Sequence, residues 1–69
     1  MFFLFKNFIK QYRLHQAFQH GLDLVKSGKK EEAFNEFNSL LTQEPDNPYI
    51  RRQILVLGKQ LNKKVNLPP

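Results

Sequence analysis

Residues 14–47 read LHQAFQHGLDLVKSGKKEEAFNEFNSLLTQEPDN, and this stretch decides the fold. Its first half carries Leu14, Ala17, Phe18, Gly21, Leu24 and Val25, then breaks at Ser27-Gly28. Recurrence every three to four residues marks one face of a helix. Gly28 is a natural stop, because glycine enters the left-handed backbone region without steric penalty. The second half places Ala33, Phe34, Phe37, Leu40 and Leu41 at i, i+1, i+4, i+7 and i+8, a single apolar face. Glu32, Asn35, Glu36, Asn38 and Ser39 cover the remainder. Glu31 and Glu32 fall in the first turn, where acids complement the partial positive charge of unpaired N–H groups. The spacing therefore predicts a helix that begins near Lys29–Glu31 and ends before Pro45. Pro45 has no N–H to donate and pushes Glu44 out of the helical region.

Upstream, no proline interrupts Phe2–Lys26 and the first glycine is Gly21. Apolar residues recur at Phe5, Phe8/Ile9 and Tyr12, and again at Phe18, Leu22 and Val25. Two arrangements are open: one long helix over about 3–27, or two helices meeting near Leu14–Gln16, where His15 and Gln16 interrupt the stripe. Downstream, Asn47-Pro48 reads as a start signal, with Asn47 capping and Pro48 in the first turn. The third helix carries Ile50, Ile54, Leu57 and Leu61 on one face, with Lys59, Lys63 and Lys64 toward its end. Leu55 and Val56 widen that face, which predicts cover on more than one flank. Gly58 costs the last turns about 1 kcal/mol relative to alanine. Leu67-Pro68-Pro69 reads as an extended, mobile tail.

No strand-like alternation occurs, so the expected class is all-α. The expected segments are an aromatic, basic stretch over 1–13, a helical hairpin over 14–47, a capping helix over 48–65 and a flexible tail over 66–69. A chain of 69 residues builds one small domain. Such a core supplies no more than about 3–5 kcal/mol without a staple. There is no cysteine, which excludes disulfides and thiolate-bound zinc and fits a reducing, cytoplasmic setting.

The net charge is +5, and its layout is uneven. Lys6, Lys10 and Arg13 stand before residue 23 with no acid beside them. All six acids (Asp23, Glu31, Glu32, Glu36, Glu44, Asp46) lie between 23 and 46, against three lysines. From residue 47 onward there are five basic residues and again no acid. Basic ends flank an acidic middle, a layout that steers anionic partners or merely solvates helix faces.

Residues 14–47 resemble one tetratricopeptide repeat, a 34-residue helix–turn–helix unit. The resemblance rests on Gly21 and Leu24, Gly28 at the turn, Ala33 and Phe37, and Pro45 within Glu44-Pro45-Asp46-Asn47. Ala17 stands where the family favours a large aromatic, His20 where it favours leucine, and Leu40 where it favours alanine. The next 34-residue register pairs Arg51, Ile54, Leu55 and Gly58 with Ala17, His20, Gly21 and Leu24, a poor second copy. The resemblance implies a hairpin in which Gly21 and Ala33 allow close approach while Phe37 and Leu24 fill the space alongside. It also implies that the concave side of the first helix meets a partner, through Gln16, Ala17, His20 and Leu24. One repeat cannot bury its own face, and about three are usually needed. Flanking helices or a partner must then cover it.

The opening residues offer a second candidate surface. Phe2, Phe3, Phe5, Phe8, Ile9 and Tyr12, interleaved with Lys6, Lys10 and Arg13, form a basic amphipathic stretch. Three uses compete for it: packing within the chain or against a second copy, docking onto another protein or a membrane-embedded complex, and direct lipid contact. It is not a secretory signal, because its apolar run precedes any basic residue and no small-residue cleavage site follows. It is also too short to span a bilayer, which takes about 20 apolar residues. Peripheral membrane association stays open.

A basic patch of Arg51, Arg52, Lys59, Lys63 and Lys64 raises nucleic-acid binding as the alternative from another class. Tyr49, Arg51, Arg52 and Gln53 open the third helix as a recognition helix would. Glu44 and Asp46 at the same helix start repel phosphates, so this reading is the weaker one. His15 and His20 stand about 140° apart around a helix and cannot readily share a metal. Ser27, Ser39 and Thr42 lie in no catalytic motif, and Ser27-Gly28-Lys29 is not a phosphate loop. The sequence thus predicts no enzyme and no cofactor. It predicts a small helical interaction module, an adaptor or accessory subunit of a larger complex, with another protein or a second copy as partner.

Overall fold

The computed structural model describes the backbone of residues 2–69 and the side chains of residues 12–69. Three helices follow one another: α1 (Phe2–Lys26), α2 (Lys30–Gln43) and α3 (Pro48–Leu61). No strand occurs among the described residues, and the class is all-α. Of the two arrangements open for the first 27 residues, α1 is the continuous one. His15 and Gln16 interrupt the apolar stripe but not the backbone, and both are solvent-exposed. No helix boundary therefore separates the 1–13 segment from the hairpin.

The turn after α1 is closed by paired backbone bonds. Gly28 N–H donates to the Val25 carbonyl at 3.1 Å, and Lys29 N–H donates to the Leu24 carbonyl at 2.8 Å. Gly28 sits at φ +81°, the left-handed geometry this Schellman turn requires. The second turn rests on Asn47. Its Oδ1 accepts from Tyr49 N–H at 2.9 Å and Ile50 N–H at 3.2 Å, while its Nδ2 donates to Glu44 Oε2 at 2.7 Å. One side chain thereby caps α3 and ties it to the end of α2.

α2 is the central element, packed against α1 on one side and α3 on the other. α1 and α3 lie on its flanks, and the molecule measures 45 × 30 × 14 Å. A 14 Å thickness is about one helix with its side chains, so the fold is a single layer rather than a closed bundle. The buried core follows from that placement. Ala33, Phe34, Phe37, Leu40 and Leu41 of α2 meet Ile50, Ile54 and Leu57 of α3. α1 adds Leu14, Ala17, Phe18, Leu22, Leu24 and Val25, all only half-buried.

α1 approaches α2 closely at Gly21. A Cβ there would lie 2.6 Å from Cζ of Phe37, a ring that is fully buried. Phe18 meets the same ring edge-on, with centroids 5.3 Å apart and planes at 62°. This aromatic geometry is worth about 0.5–1.5 kcal/mol beyond the area buried. Pairings His20–Glu36 and Phe18–Phe37 set the antiparallel register. In that register Gln43, the last residue of α2, stands opposite about residue 13.

The chain after α3 departs from its sequence reading. α3 stops at Leu61 rather than continuing to Val65, because Asn62 turns left-handed at φ 57°. Lys63 N–H then donates to the Gly58 carbonyl at 2.8 Å, and the chain doubles back. Val65 and Leu67 pack half-buried against the core, and an Arg51 Nη2 donates to the Pro68 carbonyl. The expected mobile tail is thus a strap across α2 and α3. Gly58 makes the strap fit, since a Cβ there would lie 2.3 Å from Cγ2 of Val65. The strap covers the α3 surface around Gly58. Leu55 and Val56 instead remain 51% and 45% exposed, against the expected cover on that flank.

Gly58→Ala has two opposed effects. Alanine favours the helix by about 1 kcal/mol, but its methyl displaces Val65. The expected outcome is a helical core that melts near the parent temperature with residues 63–69 released. Amide hydrogen exchange at Lys63 should rise sharply while exchange at Ile54 is unchanged. Continued protection at Lys63 would refute this role for Gly58.

Candidate functional site

α1 and α3 flank α2 without closing over its C-terminal end, and a groove opens there. It has a volume of about 340 Å³ and is lined by Leu14, His15, Phe18 and Gln19 of α1, Glu44 and Asn47 of the turn, and Tyr49 and Ile50 of α3. Ile50 is buried, and Leu14 and Phe18 are half-buried. Tyr49 stands on the α3 side with 72% of its surface exposed. His15 and Gln19 are exposed and Glu44 is half-buried. The result is an apolar floor with polar side chains along its edges. A short apolar segment with hydrogen-bonding neighbours fits that pattern. The lining holds no serine, threonine or cysteine.

The four residues expected to meet a partner lie elsewhere. Gln16 is exposed and its Nε2 donates to the Tyr12 hydroxyl at 3.0 Å. His20 reaches across to α2, with Nδ1 at 2.8 and 2.7 Å from the two carboxylate oxygens of Glu36. A protonated Nδ1 serves as the donor in that contact. Ala17 and Leu24 are half-buried against the core. None of the four lines the groove. The groove uses the neighbouring phase of the same helix, residues 14, 15, 18 and 19. That phase becomes identifiable only once the seat of α3 is known.

Of the opening aromatic surface, Phe2, Phe3, Phe5, Phe8 and Ile9 lie outside the residues with described side chains. Tyr12 is described, and it is 55% exposed. Among the described residues, no helix is long and apolar enough to cross a membrane.

The residues of the basic patch differ in exposure and in partners. Arg51 is half-buried and held by the Pro68 carbonyl. Lys63 pairs with Glu31 at 2.6 Å and lies 5.7 Å above the Phe34 ring. Arg52, Lys59 and Lys64 remain exposed. Gln53 is half-buried, so of the four residues that would open a recognition helix only Tyr49 and Arg52 are exposed.

The hydrogen bond from Lys63, and then its charge, hold the Glu31 carboxyl below its ordinary value of 4.5. A depressed folded-state value adds stability above the unfolded pKa, and that stability is lost as pH falls through the folded one. The pair is exposed, so its contribution is small and screened by salt. Titration of Glu31 by NMR should give a midpoint below that of an ordinary glutamate, and Lys63→Gln should return it upward. An unchanged midpoint in that variant would remove Lys63 as the cause.

Comparison of the chain with protein-family models, with curated proteins and with solved structures finds no match.

Proposed function

We propose that this protein is a small helical interaction module, an adaptor or accessory subunit that grips a segment of another protein. The observation that carries the reading is the open groove beside α1, with Phe18 and Ile50 at its floor and the exposed Tyr49 ring beside it. Exposed aromatics beside apolar clefts are typical anchors of protein interfaces. The resemblance of residues 14–47 to a tetratricopeptide repeat favours the same reading, since such repeats act as docking scaffolds. In this reading the partner meets residues 14, 15, 18 and 19 of α1 together with α3, rather than Gln16 and His20. The aromatic segment at Phe2, Phe3, Phe5, Phe8 and Ile9 serves as a second contact that tethers the module to its complex or to a membrane. Nucleic-acid recognition is the less favoured alternative, because Arg51 and Lys63 are already engaged within the chain.

Quantitative affinity capture tests the reading. Tyr49→Ser and Gln19→Glu alter only exposed side chains and should leave the helices folded. Together they should lower recovery of a specific co-purifying chain by about tenfold or more, the usual scale for losing an aromatic anchor. Phe2→Ser with Phe5→Ser and Ile9→Ser should release the module from its complex or membrane fraction while leaving residues 14–62 folded. Equal recovery of every co-purifying chain by the groove variant would sink the groove as the partner site.

A further inference from the structure

We propose that the outer edge of α3 docks on an anionic lipid surface. Arg52 and Lys59 would meet the headgroups, and Leu55 and Val56 would enter the boundary above the acyl chains. The inference is independent of the groove and of the opening aromatic segment. Three observations carry it.

Arg52, Val56 and Lys59 recur at i, i+4 and i+7, on the side of α3 opposite the buried Ile50, Ile54 and Leu57. Leu55 and Tyr49 flank that line, and all five side chains are exposed. The edge is therefore a mixed apolar and cationic strip with no helix packed on it among the described residues.

The charge of the strip itself has one sign, with Glu44 and Asp46 confined to the turn that precedes the helix. Residues 47–69 contain five basic residues and no acid. Arg51 is held by the strap and Lys63 by Glu31, which leaves Arg52 and Lys59 as the exposed cations of the helix edge. Such a face attracts an anionic occupant and repels a cationic one.

Shape and chemistry select the occupant. A single edge helix of 14 residues offers a convex strip about 20 Å by 10 Å. That falls well short of the roughly 800 Å² that each partner buries in a stable protein interface. A headgroup layer is compliant and moulds to a convex edge. A nucleic-acid backbone would satisfy the two cations but gives the aliphatic Leu55 and Val56 nothing to enter. The headgroup boundary takes both, as it does for amphipathic helices that lie in the membrane plane.

Co-sedimentation of the full chain with vesicles tests this. One set is phosphatidylcholine alone, and the other contains phosphatidylserine. Each basic residue near an anionic surface strengthens binding about fivefold. The double variant Arg52→Gln, Lys59→Gln should therefore lose on the order of 25-fold in partition to the anionic vesicles. Leu55→Ser with Val56→Ser should also weaken it, and both variants should keep the parent helical circular dichroism because every altered side chain is exposed. The companion variant Phe2→Ser, Phe5→Ser, Ile9→Ser separates the two ends of the chain. Binding that depends on this variant alone, with the α3 variants unaffected, overturns the proposal. So does an absence of binding to anionic vesicles. Binding to duplex DNA or RNA that needs Arg52 and Lys59 but not Leu55 and Val56, with no matching vesicle binding, overturns it in favour of nucleic acid.

Discussion

Replacing Phe37 with alanine is expected to leave the chain largely unfolded at 25 °C. Phe37 is fully buried at the centre of α2, and its ring touches both the backbone at Gly21 and the edge of Phe18. Removing a buried phenylalanine costs about 3–5 kcal/mol, part in lost transfer energy and part in the cavity left behind. A core of this size supplies about the same amount in total. A single layer also has no second row of side chains that could collapse into the gap. Far-UV circular dichroism should show most of the helical signal lost without denaturant. Phe37→Leu keeps most of the volume and should cost about 1 kcal/mol, remaining folded. A Phe37→Ala protein that melted with the parent would refute the account of how α1 and α2 are joined.

Gly21→Val should cause the second largest loss. Even one added carbon would lie 2.6 Å from Cζ and 2.8 Å from Cε1 of Phe37, and valine adds two more. The ring cannot swing aside, because it is fully enclosed. Overpacking of this kind costs about 1–3 kcal/mol, close to the whole stability of a small core. Here α1 is expected to separate from α2 while the α2–α3 contact persists. Amide exchange should accelerate along α1 well before it does so at Ile54 or Leu57. A double-mutant cycle isolates the contact. Gly21→Ala should destabilise the parent despite the better helix propensity of alanine, yet stabilise a Phe37→Leu background, where the far end of the ring is gone. If Gly21→Ala stabilised both backgrounds alike, the close approach would not be real.

The helices were legible because their signals are local. Gly28, Pro45 and the Asn47-Pro48 pair are chemical stops and starts that act within a few residues. The core of α2 was legible too, since Ala33, Phe34, Phe37, Leu40 and Leu41 fall on one face whatever covers it. The groove was not. Whether residues 14, 15, 18 and 19 or residues 16, 17, 20 and 24 of α1 border an opening depends on where α3 sits, and no residue within α1 records that. His20 illustrates the point: its partner Glu36 is sixteen residues away and belongs to another helix.

The strap was hidden for a related reason. Leu67-Pro68-Pro69 has the composition of a loose end, and Gly58 taken alone is only a weak helix residue. Together with the left-handed turn at Asn62 they form a lock, because the missing Cβ of Gly58 is the space that Val65 occupies.

By itself, the sequence determined the all-α class, the turns at Gly28 and at Pro45–Asn47 and the buried face of the middle helix, since periodicity and capping are properties of neighbouring residues. Only the tertiary structure decided that the helices lie in one layer, that a groove opens beside α1, and that the tail folds back as a strap. It also decided which charges of α3 stay exposed. Those outcomes come from contacts between distant residues, whose energy depends on the relative placement of helices rather than on any one of them.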